Sequence, residues 1–588
     1  MFDSVLVANR GEIAVRLIRA YRELGVRAIA VYSDADADAL HVRLADDARR
    51  IGPAPVGASY LDQDAILAVA RESGAAAIDP GYGLLSENPG FARAVAAAGL
   101  AFIGPGPDTI AALGDKVAAR AAAARAGIPV VPGSGGVITS HGAARTAAET
   151  IGFPLVVKAS SGGGGRGIRI VERESQLSAA LDEAAAEAGA SFGGPETYLE
   201  RHVRDARHIE VQVLADSHGN VVHLGDRDCS AQRRYQKLVE EAPAPFLDDS
   251  IRAGMREAAV RLTAAVGYQS AGTVEFLYEP AARRFYFLEM NTRLQVEHGV
   301  TELVTGLDLV AGRLAVAAGH PLAIVQDDVR MRGHAIEVRL AAEDPWQGFR
   351  PCPGTIEELH IPAGPWIRAD FGVAAGDRVP GEYDSLFGKL MAWGPDRESA
   401  RRRLIAALGE LRVSGPPTTA PYLRDVLRQA AFVQGTHSTT SLEARWLPDP
   451  ASRPPVAFPE ADDYSDAVRM LEVHAAQGPF RVAVRSRQLR GPAGLAAGRS
   501  PDSRLAPGSP DSSAQPFSPM DGVVVKVEAR AGDLVDQHAV IAVIEAMKMQ
   551  IPVTASRPGE VHRVLVKPGD SVTAGQLLAE FASTGRGD

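Results

Sequence analysis

Along the first hundred or so residues, short apolar runs alternate with stretches in which apolar residues recur every three or four positions. Ser4–Ala8 and Val26–Tyr32 read as strands, Ile13–Leu24 between them as an amphipathic helix, and Ala76–Ile78 and Ala101–Ile103 continue the series. Strands separated by helices predict a parallel sheet. The first turn, ANRGEIA, lacks the GxGxxG of a dinucleotide site. From about Asp115 to Pro321 the pattern changes. A lone strand, PLVVKAS (Pro154–Ser160), precedes a run of glycines. Strand-rich segments bearing charge follow, HIEVQVLAD, NVVHLGDRDCS and GTVEFLYEPAARRFYFLEMN, and predict an α+β region; a further mixed region extends to about Trp446.

Beyond residue 446 the periodicity fades. RMLEVHAAQGPFRVAVRSRQL predicts two or three strands, and LRGPAGLAAGRSPDSRLAPGSPDSSAQPFSP reads as a Pro/Gly/Ser-rich linker. The last seventy or so residues repeat: GVVVKVEARAGDLV (Gly522–Val535) returns as GEVHRVLVKPGDSV (Gly559–Val572) at an offset of 37. Two similar strand–turn–strand halves predict a small pseudo-symmetric β-sandwich. Between the halves lies EAMKM, with Lys548 flanked by Met547 and Met549 where a hairpin turn must fall. Methionine is ordinarily a core filler, so this placement calls for a reason.

The 588 residues exceed one core and suggest about three to five domains. An apolar content of 46% with 23% charged residues describes an ordinary globular chain. A net charge of −10 argues against a nucleic-acid partner. Cys229 and Cys352 stand in unrelated contexts and are expected to be free thiols in a reducing compartment. The N-terminus has no signal-peptide pattern and no apolar run is long enough to span a membrane, so the cytoplasm is the expected location.

Charge placement supplies the candidate chemistry. In GTVEFLYEPAARRFYFLEMN the polar break centres a hairpin on Ala282, which sets Glu275 and Glu289 opposite each other. Opposed carboxylates repel, so a cation should lie between them. The choice is between two glutamates on a wet face, each beside a Lys or Arg, and a Mg²⁺ site completed by Asn291; apolar neighbours Val274, Phe276, Phe287 and Leu288 weaken the first. The glycine run Ser160–Ile170 is not a Walker A loop, since Ile168 stands where that motif has lysine. It suits either a flexible hairpin tip or a loop closing over an anion, and Lys158 favours phosphate. Arg227, Arg233, Arg234 and Lys237 fall within eleven positions, a run usually read as a solvated basic turn. In NTRLQVEH, Arg293 and Glu297 form either a surface ion pair or a cation and base around a small anion.

Taken together, ANRGEIAVRLIRA, PGYGLLSEN, GDK, the glycine loop, RDCSAQRRYQKLVEEAPAP, EMNTRLQVEH, HAIEVRLAAEDP and EYDSLFGKLMAW resemble the biotin carboxylase family of ATP-grasp enzymes over nearly all of residues 1–446. EAMKM resembles the attachment motif of a biotin carboxyl carrier domain; a lipoyl domain shares that fold, but its lysine usually sits in a DKA-like context. The resemblance implies a Rossmann-like domain at 1–114, an ATP-grasp domain with a glycine-rich lid at 115–321, and a biotin carboxylase C-terminal domain at 322–446. A short strand-containing region and linker at 447–512 and a biotinyl β-sandwich (barrel-sandwich hybrid) at 513–588 complete it.

The implied reaction uses MgATP (or the Mn²⁺ form) and bicarbonate to make carboxyphosphate, which carboxylates biotin. By matching position, Lys116, Lys158 and Gly162, Gly163, Gly164 and Gly165 would hold the ATP phosphates, and Glu200, Arg201, Val203 and His208 would line the nucleotide site. Glu275, Glu289 and Asn291 would bind metal; Lys237, Arg293, Gln295 and Val296 would position bicarbonate; Glu297 would be its base; and Arg339 would stabilise the biotin enolate. Lys548 would be acylated with biotin by a biotin protein ligase, which would read the flanking methionines. The glycine loop would exclude water from a labile intermediate.

Departures from the family pattern are Arg166 for a frequent Lys, Tyr235 and Asp79 for frequent His, and Gly299 for the usual Pro; none removes a proposed catalytic group. No carboxyltransferase domain is read, so the partner expected is a separate carboxyltransferase β subunit, as for the α subunits of acyl-CoA carboxylases. 3-Methylcrotonyl-CoA, pyruvate or urea are alternative acceptors, and an inactive biotin carrier or scaffold is an alternative role. A homodimer of biotin carboxylase domains is expected within the larger complex. The linker from Gly491 to Pro519 would span roughly 30 Å as a flexible coil and roughly 90 Å stretched, letting Lys548 swing between sites.

Overall fold

Strands β1 (Ser4–Val7), β2 (Arg27–Ser33), β3 (Asp47–Gly52), β4 (Ala77–Asp79) and β5 (Ala101–Phe102) form an all-parallel sheet in the order β3-β2-β1-β4-β5. Helix α1 (Gly11–Glu23) lays Ile13, Leu17, Ile18 and Tyr21 against Val5, Val7, Ala28 and Ala30. This is the doubly wound start the periodicity predicts, with bounds shifted by a residue or two. Edge strand β3, DARRIG, is additional: adjacent Arg49 and Arg50 break the apolar pattern that marks the others. The turn after β1 is tied across the sheet, because Asn9 Nδ2 donates to the carbonyls of Pro80 (2.6 Å) and Tyr82 (2.8 Å).

These elements come from a computed structural model that describes residues 1–160, 168–192, 194–452, 468–475, 478–485, 515–519, 522–546, 549–573 and 575–581. Two compact units are present, Met1–Ser452 and Arg453–Asp588. Among the described residues no helix is long and apolar enough to cross a membrane.

In the first unit a three-stranded antiparallel sheet, β6 (Leu155–Ala159), β7 (Arg169–Val171) and β8 (Thr197–Arg201), precedes a large one. The glycines Gly162, Gly163, Gly164 and Gly165, with Arg166, lie outside the described residues. The large sheet uses β9 (Arg207–Ala215), β10 (Val221–Arg233), β11 (Gln236–Ala242), β12 (Ser270–Glu279), β13 (Arg284–Asn291), β14 (His334–Ala341), β15 (Ile367–Phe371) and β16 (Leu386–Gly394). Their order is β13-β12-β9-β10-β11-β14-β16-β15, so one sheet runs continuously past residue 321. Helix α2 (Asp249–Ala265) buries Met255, Ala258, Ala259 and Leu262 against Ile209, Val211 and Val213 of β9 and Val274, Phe276 and Tyr278 of β12. Strand alternation then sends His208, Glu210, Gln212, Thr273 and Glu275 to the opposite face.

In the second unit β17 (Val468–Ala475) and β18 (Gly478–Arg485) form an antiparallel hairpin. The sandwich strands are β19 (Gly522–Val527), β20 (Leu534–Val535), β21 (Val540–Ala546), β22 (Met549–Thr554), β23 (Gly559–Val564), β24 (Ser571–Val572) and β25 (Ala579–Phe581). The sequence repeat becomes a swap of partners: β19 of the first half pairs with β24 of the second, and β20 with β23. Val524, Ala542, Ile544, Val553, Val572 and Leu578 fill its core. Strands β21 and β22 pair out to Ala546 opposite Met549. Met547 and Lys548 lie outside the described residues, as do residues 486–514, which hold most of the linker predicted from Gly491 to Pro519.

Candidate active site

A single line of register crosses four strands of the large sheet. Glu289 on β13 pairs with Glu275 on β12, Glu275 with Glu210 on β9, and Glu210 with Arg227 on β10. The Glu275–Glu289 pairing matches the spacing argument, by a different route. The turn is centred between Ala281 and Ala282, since Glu279 pairs with Arg284, and an extra residue at Leu288 restores the register. Three adjacent carboxylates would repel strongly without cations. Arg227, fully buried, donates through Nε to Glu210 (2.5 Å) and through its other nitrogens to Gln212, Thr273 and Thr301. Lys237 reaches over from β11, its Nζ 2.6 Å from Glu210, 2.8 Å from Glu275 and 2.6 Å from Glu297. His208 Nε2 lies 3.0 Å from Glu275 Oε2.

Glu297 follows β13 at the residue just before α3 (His298–Thr305). Its side chain is fully buried, with Oε1 on Lys237 and Oε2 accepting from Arg339 Nη2 at 2.9 Å. Burial acts to raise this carboxyl, but Lys237, Arg339 and Arg227 outweigh it and hold it well below the usual range. The same balance keeps the Lys237 ammonium well above its ordinary value: burial opposes the charge, and Glu210, Glu275 and Glu297 prevail. Arg339 Nε donates to Glu240 (2.6 Å), a buried carboxyl pushed up to about 7 mainly by burial. Lys237 and Arg339 keep partly exposed side chains while Glu297 does not, so a small anion arriving at the cations would meet an ionised, water-poor carboxylate.

Arg293, also partly exposed, gathers the neighbouring loop. It donates to Glu87 (3.0 Å), Gln295 Oε1 (3.1 Å) and Asn291 Oδ1 (3.2 Å). Asn291 Nδ2 and Gln295 Nε2 donate to Glu275 Oε1 at 2.8 and 3.4 Å, and the Val296 carbonyl accepts from Lys389 at 2.6 Å. Lys237, Arg293, Gln295, Val296, Glu297 and Arg339 are thus brought together.

The remaining predicted residues sit around the three-stranded sheet. Lys158 on β6 is 2.5 Å from Glu200 on β8, which also pairs with Arg120. Lys116 opens the helix Lys116–Arg125, which Asp115 caps, and its backbone N–H donates to Ser160 (3.1 Å) at the end of β6. Burial lowers the Lys116 ammonium, opposed chiefly by Glu289. Arg201 turns to Glu279 (2.9 Å) and Tyr286, and Val203 packs with Val131, Ala206 and Tyr286.

A divalent cation fits Glu275 and Glu289. Burial first, then the charge of Glu275, raises the Glu289 carboxyl, and Glu289 makes no ion pair among the described residues. A cation would relieve that repulsion at Glu289; Glu275 is already engaged by Lys237 and His208, and Glu210 by Arg227 and Lys237. Two departures from the family pattern are accommodated. Asp79 accepts from Gly81 N and Arg313 at 2.8 and 2.9 Å and from Tyr21, fixing the turn before Tyr82. Gly299 leaves room for Met391, whose sulfur would lie 2.4 Å from an added Cβ.

Glu87, Glu210, Glu240 and Lys389 belong to this constellation but did not emerge from the sequence, and Arg227 emerged only as one of a run of basic residues. In sequence HIEVQV and HAIEVRL show only polar residues alternating with apolar ones, which reads as a half-exposed strand, although in the fold those polar residues are mostly buried.

Four family models match the chain: "Biotin carboxylase, N-terminal domain" over residues 1–110, "Carbamoyl-phosphate synthase L chain, ATP binding domain" over 115–325, "Biotin carboxylase C-terminal domain" over 337–444 and "Biotin-requiring enzyme" over 517–581. A biotin carboxylase of Pseudomonas aeruginosa is 48% identical over 446 residues, covering 76% of this chain and 99% of the relative. The biotin-dependent acyl-coenzyme A carboxylase alpha3 subunit of Mycobacterium leprae is 42% identical over 590 residues and 98% of both chains. Among solved structures, the biotin carboxylase domain dimer of Hydrogenobacter thermophilus 2-oxoglutarate carboxylase, in complex with MgADP, ADP and bicarbonate, superposes with a TM-score of 0.74 at 45% identity, covering 75% of this chain and 97% of that one.

Proposed function

The chain belongs to the biotin carboxylase family, with a biotin-requiring domain on the same polypeptide, and from that premise we propose that it is the α subunit of an acyl-CoA carboxylase. It is an ATP-dependent biotin carboxylase whose cofactors are biotin, ATP and Mg²⁺. The carboxyl group made here passes, on this reading, to an acyl-CoA bound by a separate carboxyltransferase β subunit.

The observation that carries the reading is Glu297: a fully buried carboxylate kept ionised between Lys237 and Arg339. In the proposal Lys237, Arg293, Gln295 and the Val296 backbone orient bicarbonate, and Glu297 takes its proton at a carboxylate oxygen. The bicarbonate oxygen then attacks the γ-phosphorus of ATP, ADP leaves, and carboxyphosphate forms. Lys116, Lys158 and Gly162 to Gly165 hold the phosphates, and Glu200, Arg201, Val203 and His208 frame the nucleotide. Glu275, Glu289 and Asn291 would hold the divalent ion, which would supply charge neutralisation at the phosphates. Arg339 offers a fixed cation to negative charge developing at the second step. Lys548 carries biotin after modification by a biotin protein ligase. We further assign 1–114, 115–321, 322–446, 447–512 and 513–588 as the working segments, and a homodimer of the first three as the core of the assembly.

The test is ADP release by the purified chain with MgATP and free biotin, with and without bicarbonate. Release that requires bicarbonate and rises with biotin is expected; none from folded protein contradicts the reading. Adding the β subunit with an acyl-CoA then separates this acceptor from pyruvate or urea, which would be consumed instead.

A further inference from the structure

Lys389 on β16 is fully buried and lies directly across the ladder from Arg339 on β14. Its Nζ donates to the carbonyl of Val296 at 2.6 Å and stands 3.3 Å from Glu12 Oε1 and 4.0 Å from Asp370 Oδ2. Glu12, on α1, accepts in turn from the Tyr82 hydroxyl. One ammonium therefore joins the helix of the N-terminal sheet, the loop from Asn291 to Glu297, and the last two strands of the large sheet.

We propose that Lys389 is a positioning residue for bicarbonate activation, fixing the Glu297 carboxylate through the Val296 carbonyl. A carbonyl oxygen and the following N–H share one rigid plane, so holding Val296 O fixes the peptide that enters Glu297. The far side of the same turn is held by His298, whose N and Nδ1 both lie within hydrogen-bonding distance of the Gln295 carbonyl, at 3.3 and 2.8 Å. Cross-strand neighbours thus grip two successive residues, Arg339 the Glu297 side chain and Lys389 the Val296 carbonyl before it. Burial opposes the charge on Lys389, but Glu12, Glu337 and Asp370 together keep its ammonium above the ordinary value. Glu337 itself is buried with neither carboxyl oxygen hydrogen-bonded; burial pushes it well up and raises Glu12 as well, whereas Arg368 and Lys389 outweigh burial at Asp370 and hold it low.

The inference rests on the proposed function, and the wild-type chain separates the two. No bicarbonate-dependent ADP release from wild type would remove the function; a variant that behaves as wild type would remove only this role. Lys389→Met in the full chain keeps the length of the side chain and loses the donor. The expected result is a fall of roughly 10- to 100-fold in kcat with a raised KM for bicarbonate, while KM for MgATP stays within about threefold. Lys389→Gln, which restores a shorter donor, should recover part of the loss. A folded Lys389→Met with bicarbonate kinetics within about twofold of wild type overturns the proposal. Should that variant not fold, Glu12→Gln is read instead: it leaves Lys389 in place with one counter-charge fewer, and unchanged bicarbonate kinetics there overturn the proposal equally.

Discussion

Lys237 Nζ lies 2.6 Å from Glu297 Oε1, and the same ammonium lies 2.8 Å from Glu275 Oε1. The proposed base and a proposed metal ligand therefore share one cation, which holds both ionised. Replacing Glu297 by Gln keeps the shape and removes the proton acceptor. Bicarbonate-dependent ADP release should fall by about 100-fold or more, while MgATP affinity, measured by calorimetry, stays within about threefold. Turnover that survives would mean that another group takes the proton.

Arg339 holds Glu297 and Glu240 at once. Arg339→Met should cost about 100-fold in biotin-stimulated ADP release. Any release without biotin should fall much less, because Lys237, the larger influence on Glu297, stays in place. Equal losses in the two assays would place Arg339 in bicarbonate handling alone.

Glu289 faces Glu275 across the ladder with its carboxyl raised by burial and by that neighbour. If a divalent ion resolves this repulsion, Glu289→Gln should raise the Mg²⁺ concentration for half-maximal activity by roughly tenfold. An unchanged Mg²⁺ titration would move the ion elsewhere.

His41 is fully buried, its Nε2 3.2 Å from the Val31 carbonyl, and burial lowers it from 6.5 to about 4. Between those values the unfolded chain binds a proton that the folded chain refuses, so stability rises with pH there. Acidification from 6.5 to 4 should therefore cost about 3 kcal/mol through this group alone, with no contribution above 6.5. Thermal unfolding followed from neutral to acid pH should show a shallower loss in His41→Gln than in wild type. Parallel curves would assign the acid sensitivity to other groups.

Much of this fold is legible in the residues. Apolar periodicity marks β1, β2, β4, β5 and α1, but not β3, whose arginines face solvent. The repeat at an offset of 37 predicts a symmetric sandwich, and the exchange of β24 and β20 between the halves is its physical form. The Glu275–Glu289 pairing is legible because a hairpin is local. Lys237 with Glu210, or Lys389 with Val296, is not. Those partners are 27 and 93 residues apart and meet only when β9, β11, β13 and β16 assemble. Their strands look half-wet in sequence, since nothing local tells a buried glutamate from an exposed one.

The most direct test of the whole account is transfer of label from bicarbonate to the chain itself. Biotinylated full-length protein is incubated with MgATP and labelled bicarbonate, then separated from small molecules. The account predicts acid-labile label on the wild-type chain, none on Lys548→Arg, which also loses avidin binding, and none on Glu297→Gln, which keeps its biotin. Label on Lys548→Arg, or a biotinylated wild type that takes up none, would contradict it.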